Sequence, residues 1–107
     1  MIRRDGRRMV LSGPVTLANV AEVLLEGRRH LDEGRPHHDE GVRVVDLGEV
    51  TEMDSALLAL LLAWLRDAQS RDRPLEFANP PESLRTIARL YGVDGLLSLS
   101  SEAAAPH

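Results

Sequence analysis

Two stretches of this chain hold side chains of the types that do chemistry. The first is Asp54-Ser55, set between a strand-like run and a leucine-rich run. A hydroxyl at a helix start lies among unpaired backbone N–H groups and a partial positive charge. It can carry a phosphate there, or make a polar contact at an interface. Asp and Ser are also preferred N-cap residues, so plain capping is the competing reading. The second stretch is His37-His38-Asp39-Glu40, the one cluster of metal-ligating types. Adjacent histidines in a loop point apart, and the third ligand has no recognised spacing. A solvated loop is the expectation, and no metal site is assigned.

Composition removes most other chemistries. The 107 residues include no cysteine, which excludes disulfides, thiolate zinc sites and cysteine nucleophiles. All 13 basic residues are arginine, so there is no Walker lysine. Neither a Gly-x-Gly-x-x-Gly loop nor a Gly-x-Ser-x-Gly elbow occurs. Asp46 and Asp54 are carboxylates that nothing in the sequence gathers around a pocket. His30 stands beside Arg28 and Arg29 and reads as exposed. No catalytic residue and no cofactor is expected. A net charge of −4 argues against a sequence-independent nucleic-acid binder, which needs a basic stripe. Arg3, Arg4, Arg7 and Arg8 make one end basic. Between Asp39 and Asp54 six acids face only Arg43. Such poles can steer a charged partner, although solvated surface is the plainer reading for the arginines.

The elements that position Asp54-Ser55 follow from periodicity. Asp5-Gly6 predicts a hairpin turn between Ile2–Arg4 and a second strand that Gly13-Pro14 stops. Thr16 predicts the cap of a helix, with Leu17, Val20, Ala21, Leu24, Leu25 and Leu31 on its buried side. Gly27 interrupts that helix, and residues 34 to 41 form a polar loop. Val42–Leu47 is the best strand, followed by a connecting loop from Gly48 to Met53. Asp54-Ser55 then opens a helix to about Ser70. It is apolar nearly all round over ten residues, too short to cross a bilayer and suited to extensive burial. Leu75–Ala78 is a parallel strand, which completes a right-handed βαβ unit. Asn79 caps a last helix whose stripe is Leu84, Ile87, Ala88 and Tyr91, with Gly92 ending it. Val93–Leu99 is a final turn or edge strand, and residues 100–107 fray. One domain, 1–107, is expected, in the order β-β-α-β-α-β-α. No export signal is read at the N-terminus, so a cytoplasmic location is expected.

Val45-Asp46-Leu47, the loop to Asp54-Ser55-Ala56 and the aliphatic helix after it resemble the STAS domain family, named for sulphate transporters and anti-sigma factor antagonists. The leading hairpin, the Asn79-Pro80 strand end and the helix from Leu84 to Tyr91 fall in that family's order. Leu58-Ala59-Leu60-Leu61-Leu62 and Ala88-Arg89-Leu90-Tyr91 resemble in particular the MlaB-type STAS subunit of the Mla phospholipid-transport ABC system. The resemblance implies an α/β fold, a mixed β-sheet with helices mainly on one face. It implies a non-enzymatic subunit that binds and supports the ATPase of a transporter maintaining outer-membrane lipid asymmetry. Through that ATPase it would reach a membrane permease, peripheral to the inner membrane, with no cofactor and no nucleic acid.

Ser55 falls at the family's Ser/Thr position. The implied interface comprises Thr51, Glu52, Met53, Asp54, Ser55 and Leu58. Glu52 and Asp54 would orient basic partner groups, while Met53 and Leu58 supply apolar contact or pack in the core. The family often has a glycine two or three residues after the Ser/Thr. Here Leu57 and Leu58 stand there, which is expected to add surface bulk and hinder a kinase. The alternative implied role is an anti-sigma factor antagonist switched by phosphorylation of Ser55. Self-association of the isolated chain is also expected from the apolar helix.

Overall fold

Residues 1–32, 41–97 and 99–100 are described by a computed structural model of the chain. The strands are β1 (Ile2–Asp5), β2 (Arg8–Val15), β3 (Val44–Met53), β4 (Glu76–Ala78) and β5 (Leu99–Ser100). The helices are α1 (Val20–Asp32), α2 (Ser55–Ser70), α3 (Glu82–Leu90) and α4 (Asp94–Leu97). One sheet runs β1-β2-β3-β4-β5. The β1–β2 pair is antiparallel, and every later neighbour is parallel. Successive parallel strands advance across the sheet in one direction. Right-handed crossovers then put the connecting helices on one face. This is the mixed sheet with one-sided helices that the resemblance implies.

Alternation along the strands sorts the two faces. Met9, Leu11, Val45, Leu47 and Phe77 turn inward and are fully buried. From α2 come Leu57, Leu58, Leu60, Leu61, Trp64 and Ala68, and from α3 Leu84 and Ala88. The core is therefore aliphatic, with Trp64 and Phe77 as its two large rings. Trp64 lies against the backbone of α1. A Cβ added at Gly27 would fall 2.1 Å from its Cζ2 atom, so Gly27 is the residue that admits the ring. The indole Nε1 donates to the Leu24 carbonyl at 3.4 Å, and Arg28 pairs with Asp67 at 2.8 Å.

Several boundaries differ from the sequence expectation. The hairpin turn is Gly6-Arg7, because Asp5 pairs with Arg8; Gly6 takes φ 65° as the first turn residue. Strand β2 does not stop at Gly13-Pro14. Both residues remain in register with β3, beside irregularities that accommodate a proline. Gly48 to Met53 is the second half of β3 and not a loop. Helix α1 starts at Val20, so Thr16 is not its cap. Its buried line is then Val20, Val23, Leu24, Gly27 and Leu31, leaving Leu17, Ala21 and Leu25 outside. Asn79 does not cap α3. Pro81 precedes that helix without a side-chain bond, and Tyr91, past its end, is exposed. The His37–Glu40 cluster, most of the loop from residue 34 and the tail from residue 101 lie outside the described residues.

Candidate functional site

The long β2–β3 pairing sets the position of Asp54-Ser55. β4 pairs only with Val44–Asp46, whereas β2 follows β3 as far as Met53. The two strands run on together and deliver the chain to the start of α2. The site lies at the carboxyl ends of parallel strands, where α/β sheets place their binding surfaces.

Asp54 makes two connections there. Its Oδ1 accepts from the Ala56 amide at 2.8 Å, the N-cap bond of α2. Its Oδ2 accepts from the Leu17 amide at 3.0 Å, which ties the β2–α1 loop to the helix start. That loop is internally fixed by Asn19. Its Oδ1 accepts from the Thr16 amide at 2.9 Å and its Nδ2 donates to the Pro14 carbonyl at 2.9 Å. Capping thus belongs to Asp54, and Ser55 is left as the first helical residue. Ser55 is exposed, and its hydroxyl has no hydrogen bond among the described residues.

Around Ser55 stand exposed Thr51 and Glu52 and half-buried Met53 and Asp54. Five of the six expected interface residues are contiguous in the chain at this corner. The sixth, Leu58, is 5 % exposed and belongs to the core. Helical phase explains the correction: Leu57, Leu58, Leu60 and Leu61 all turn toward the sheet, while Ala59 is outward. The expectation of leucine bulk beside Ser55 fails for the same reason. Small residues, Ala56 and Ala59, occupy the surface there. One surface residue was missed. Leu17, 78 % exposed, is held beside Asp54 by its own amide. The helix starts three residues later than a Thr16 cap requires, and this leaves Leu17 in the β2–α1 loop.

Asp46 does structural work on the other sheet face. Its Oδ1 accepts from the Gly48 amide at 2.8 Å and from Asn79 Nδ2 at 3.1 Å. Its Oδ2 pairs with Arg8 at 2.8 Å. Burial pushes its carboxyl up, but the Gly48 amide, Asn79 and Arg8 together outweigh that and hold it below the ordinary range. Asn79 adopts φ 56° in this arrangement. A Cβ at Gly48 would sit 3.1 Å from Asp46 Oδ1, a tight contact that the carboxylate would have to relieve by shifting a few tenths of an ångström. Asp46 and Asp54 thus serve separate structural roles. Among the described residues no group of three metal-ligating side chains converges, and no helix is long and apolar enough to cross a membrane.

Comparison with known proteins adds the following. The family model described as Mlab, STAS domain, matches residues 2–98. No curated protein sequence matches the chain. Among solved structures, the anti-sigma factor antagonist SpoIIAA in its unphosphorylated form aligns with TM-score 0.68 at 15% identity. The alignment covers 94% of this chain and 85% of that one. The phosphorylated form of SpoIIAA, from Bacillus, aligns with TM-score 0.65 at 16% identity, covering 94% and 88%. A proposed anti-sigma factor antagonist from Thermotoga maritima gives TM-score 0.73 at 14% identity, covering 94% and 84%. At these identities the structures report a shared fold.

Proposed function

This chain belongs to the MlaB-type STAS domain family, and from that premise we propose that it is the non-enzymatic STAS subunit of an ABC-type phospholipid transporter. In this reading it binds the cytoplasmic ATPase and supports its activity, and so lies peripheral to the inner membrane through its partner. The observation that carries the reading is the surface at the start of α2. Ser55 is exposed and uncapping, and exposed Thr51 and Glu52 with half-buried Met53 and Asp54 flank it. Polar groups around a partly apolar centre suit a protein contact. Glu52 and Asp54 orient basic groups of the ATPase. Met53 and Leu17 supply the apolar contact, the part first assigned to Leu58.

The test is a titration of the purified ATPase subunit with this chain and its Ser55→Glu variant. The longer glutamate side chain crowds the contact at the start of α2, and this outweighs the attraction of its carboxylate for the basic groups of the partner. It is expected to weaken binding by about tenfold or more, about 1.4 kcal/mol. The thermal unfolding of the isolated domain stays unchanged, because Ser55 makes no internal bond. Unchanged affinity would place Ser55 outside the contact.

A second reading is supported by the likeness to SpoIIAA, whose fold is seen in phosphorylated and unphosphorylated forms. Here Ser55 takes a phosphate and an anti-sigma partner is switched by it. The hydroxyl is accessible, since Leu57 and Leu58 point inward. Added phosphate would bring about −1.5 to −2 charge next to two acids. Recovery of an anti-sigma kinase from the native cell, with phosphate on Ser55 by mass spectrometry, would displace the transporter reading.

A further inference from the structure

Leu17 is 78 % exposed, the most exposed large apolar side chain among the described residues. The loop that carries it is nevertheless fixed at every amide from Thr16 to Asn19. The Thr16 amide donates to Asn19 Oδ1 at 2.9 Å, and the Leu17 amide donates to Asp54 Oδ2 at 3.0 Å. The Ala18 amide donates to Thr16 Oγ1 at 3.3 Å, and the Asn19 amide donates to the Thr16 carbonyl at 3.0 Å. Asn19 Nδ2 donates to the Pro14 carbonyl at 2.9 Å, which closes the loop on itself. The Asn19 carbonyl accepts from the Val23 amide at 3.1 Å, which joins the loop to α1. Asn19 therefore ties the loop together by both ends of its side chain and by its backbone.

A lone exposed leucine is common on any protein surface. This one differs in the bonds that fix its backbone and in where they lead. Asp54, which holds the Leu17 amide, also caps α2 beside Ser55. Pro14 is in register with Glu52 and Val15 with Met53, so the loop and the Ser55 corner form one surface. The charges on that surface are of one sign. Glu52 is exposed and makes no ion pair among the described residues, and Asp54 is half-buried beside it. Burial of a leucine stabilises a complex, and a leucine held in place beforehand loses little further freedom on binding. Building on the transporter reading, we propose that Leu17 is the apolar anchor of the ATPase contact, entering an apolar pocket whose rim carries arginine or lysine, and that Asn19 is the positioning residue that holds it ready. Asn19 acts through the loop and not by touching the partner.

Calorimetric titration of the purified ATPase subunit with the full chain and its variants tests this, with circular dichroism as a control on folding. Leu17→Ala is expected to raise the dissociation constant by about tenfold or more. Leu90→Ala removes a leucine of equal exposure, 77 %, from the end of α3 and leaves affinity unchanged. Asn19→Ala raises the dissociation constant by about threefold to tenfold, because the loop must then be ordered on binding. Thr16→Ala, a milder change that removes the acceptor of the Ala18 amide, acts in the same direction. On the Leu17→Ala background neither loop variant adds a further loss, a result that general loosening of the domain would not give. High salt weakens the wild-type complex, as a basic rim against Glu52 and Asp54 requires. A Leu17→Ala affinity within about twofold of wild type, or an equal loss from Leu90→Ala, overturns the anchor. Loop variants without effect, or with a loss undiminished on the Leu17→Ala background, overturn the positioning role. An affinity indifferent to salt overturns the basic rim. A wild type that does not bind the ATPase overturns the transporter reading and this inference together. A complex weakened by Ser55→Glu but not by Leu17→Ala overturns this inference alone.

Discussion

Asp54→Ala removes two hydrogen bonds from the corner that displays Ser55. The first is the cap of α2, from the Ala56 amide to Oδ1 at 2.8 Å. Replacing a capping aspartate with alanine costs about 1 kcal/mol. The second is the tether from the Leu17 amide to Oδ2 at 3.0 Å. It is exposed, so it belongs at the lower end of the net range, about 0.5–1 kcal/mol. The sum is about 1.5–2 kcal/mol. For a domain of about 100 residues each kcal/mol is worth about 4–8 °C, so Tm falls by about 6–16 °C. Asp54→Asn divides the effect, because the two N–H groups are bound by different oxygens and the amide replaces one of these with an NH2 group that cannot accept. It retains the cap and loses the tether, and its Tm lies between the other two. Thermal unfolding followed by circular dichroism gives the order. Hydrogen exchange at the Leu17 amide should quicken in both variants. An alanine variant within about 0.5 kcal/mol of wild type, or an asparagine variant as unstable as alanine, would refute the account of two separable bonds.

Two further outcomes follow from the packing and the outer sheet face. Gly27→Ala in a helix interior would ordinarily gain about 1 kcal/mol from propensity. Here the new methyl meets the Trp64 ring at 2.1 Å, so the variant should instead lose about 1–3 kcal/mol and unfold at lower urea; a raised urea midpoint would contradict the packing. Asp46 has a folded pKa below its ordinary value, so its contribution to stability is present above the carboxylate range and is lost as pH falls through the folded value. Asp46→Asn should therefore flatten the loss of stability below about pH 4, and an unaltered acid limb in pH-dependent unfolding would count against the Arg8–Asp46–Asn79 joint.

The element order was legible because its signals are local. Val42–Leu47 is rich in β-branched residues between glycines, and the leucine run after Asp54 has no strand-like alternation. What was not legible depends on pairing. Gly48-Glu49-Val50-Thr51-Glu52-Met53 has the composition of a loop, and becomes strand only because Ser12–Val15 extends beside it. Gly13-Pro14 reads as a stop, and a parallel neighbour with register irregularities overrides it. Helix α1 starts at Val20, which leaves Leu17 in the loop before it, and its buried line through Val20, Val23, Leu24, Gly27 and Leu31 leaves Leu25 on the surface. Gly27 gave no sign of its role, since the ring it admits comes from a residue 37 positions later. At the site, the five residues from Thr51 to Ser55 were found by motif. Leu58 was misplaced because a helix apolar on nearly every side gives no phase of its own.

The burial of Leu57 and Leu58 changes the relation between the two readings of Ser55. Had leucines stood beside the hydroxyl, their bulk would have favoured a lasting apolar contact and hindered a kinase. Instead the hydroxyl projects from a helix start with alanines on its helical neighbours and Glu52 and Asp54 on its flank. A partner seated there covers the hydroxyl, and a phosphate placed there sets further negative charge against the same partner. Binding and modification therefore compete for one surface in either reading. The partner's charge separates them: a basic contact is opposed by Ser55→Glu only through crowding and is partly compensated by attraction, whereas an acidic or apolar contact is expelled. Measuring the salt dependence of the Ser55→Glu loss resolves this. A loss that shrinks at high salt reports like-charge repulsion, and one that persists reports steric exclusion at a well-packed contact.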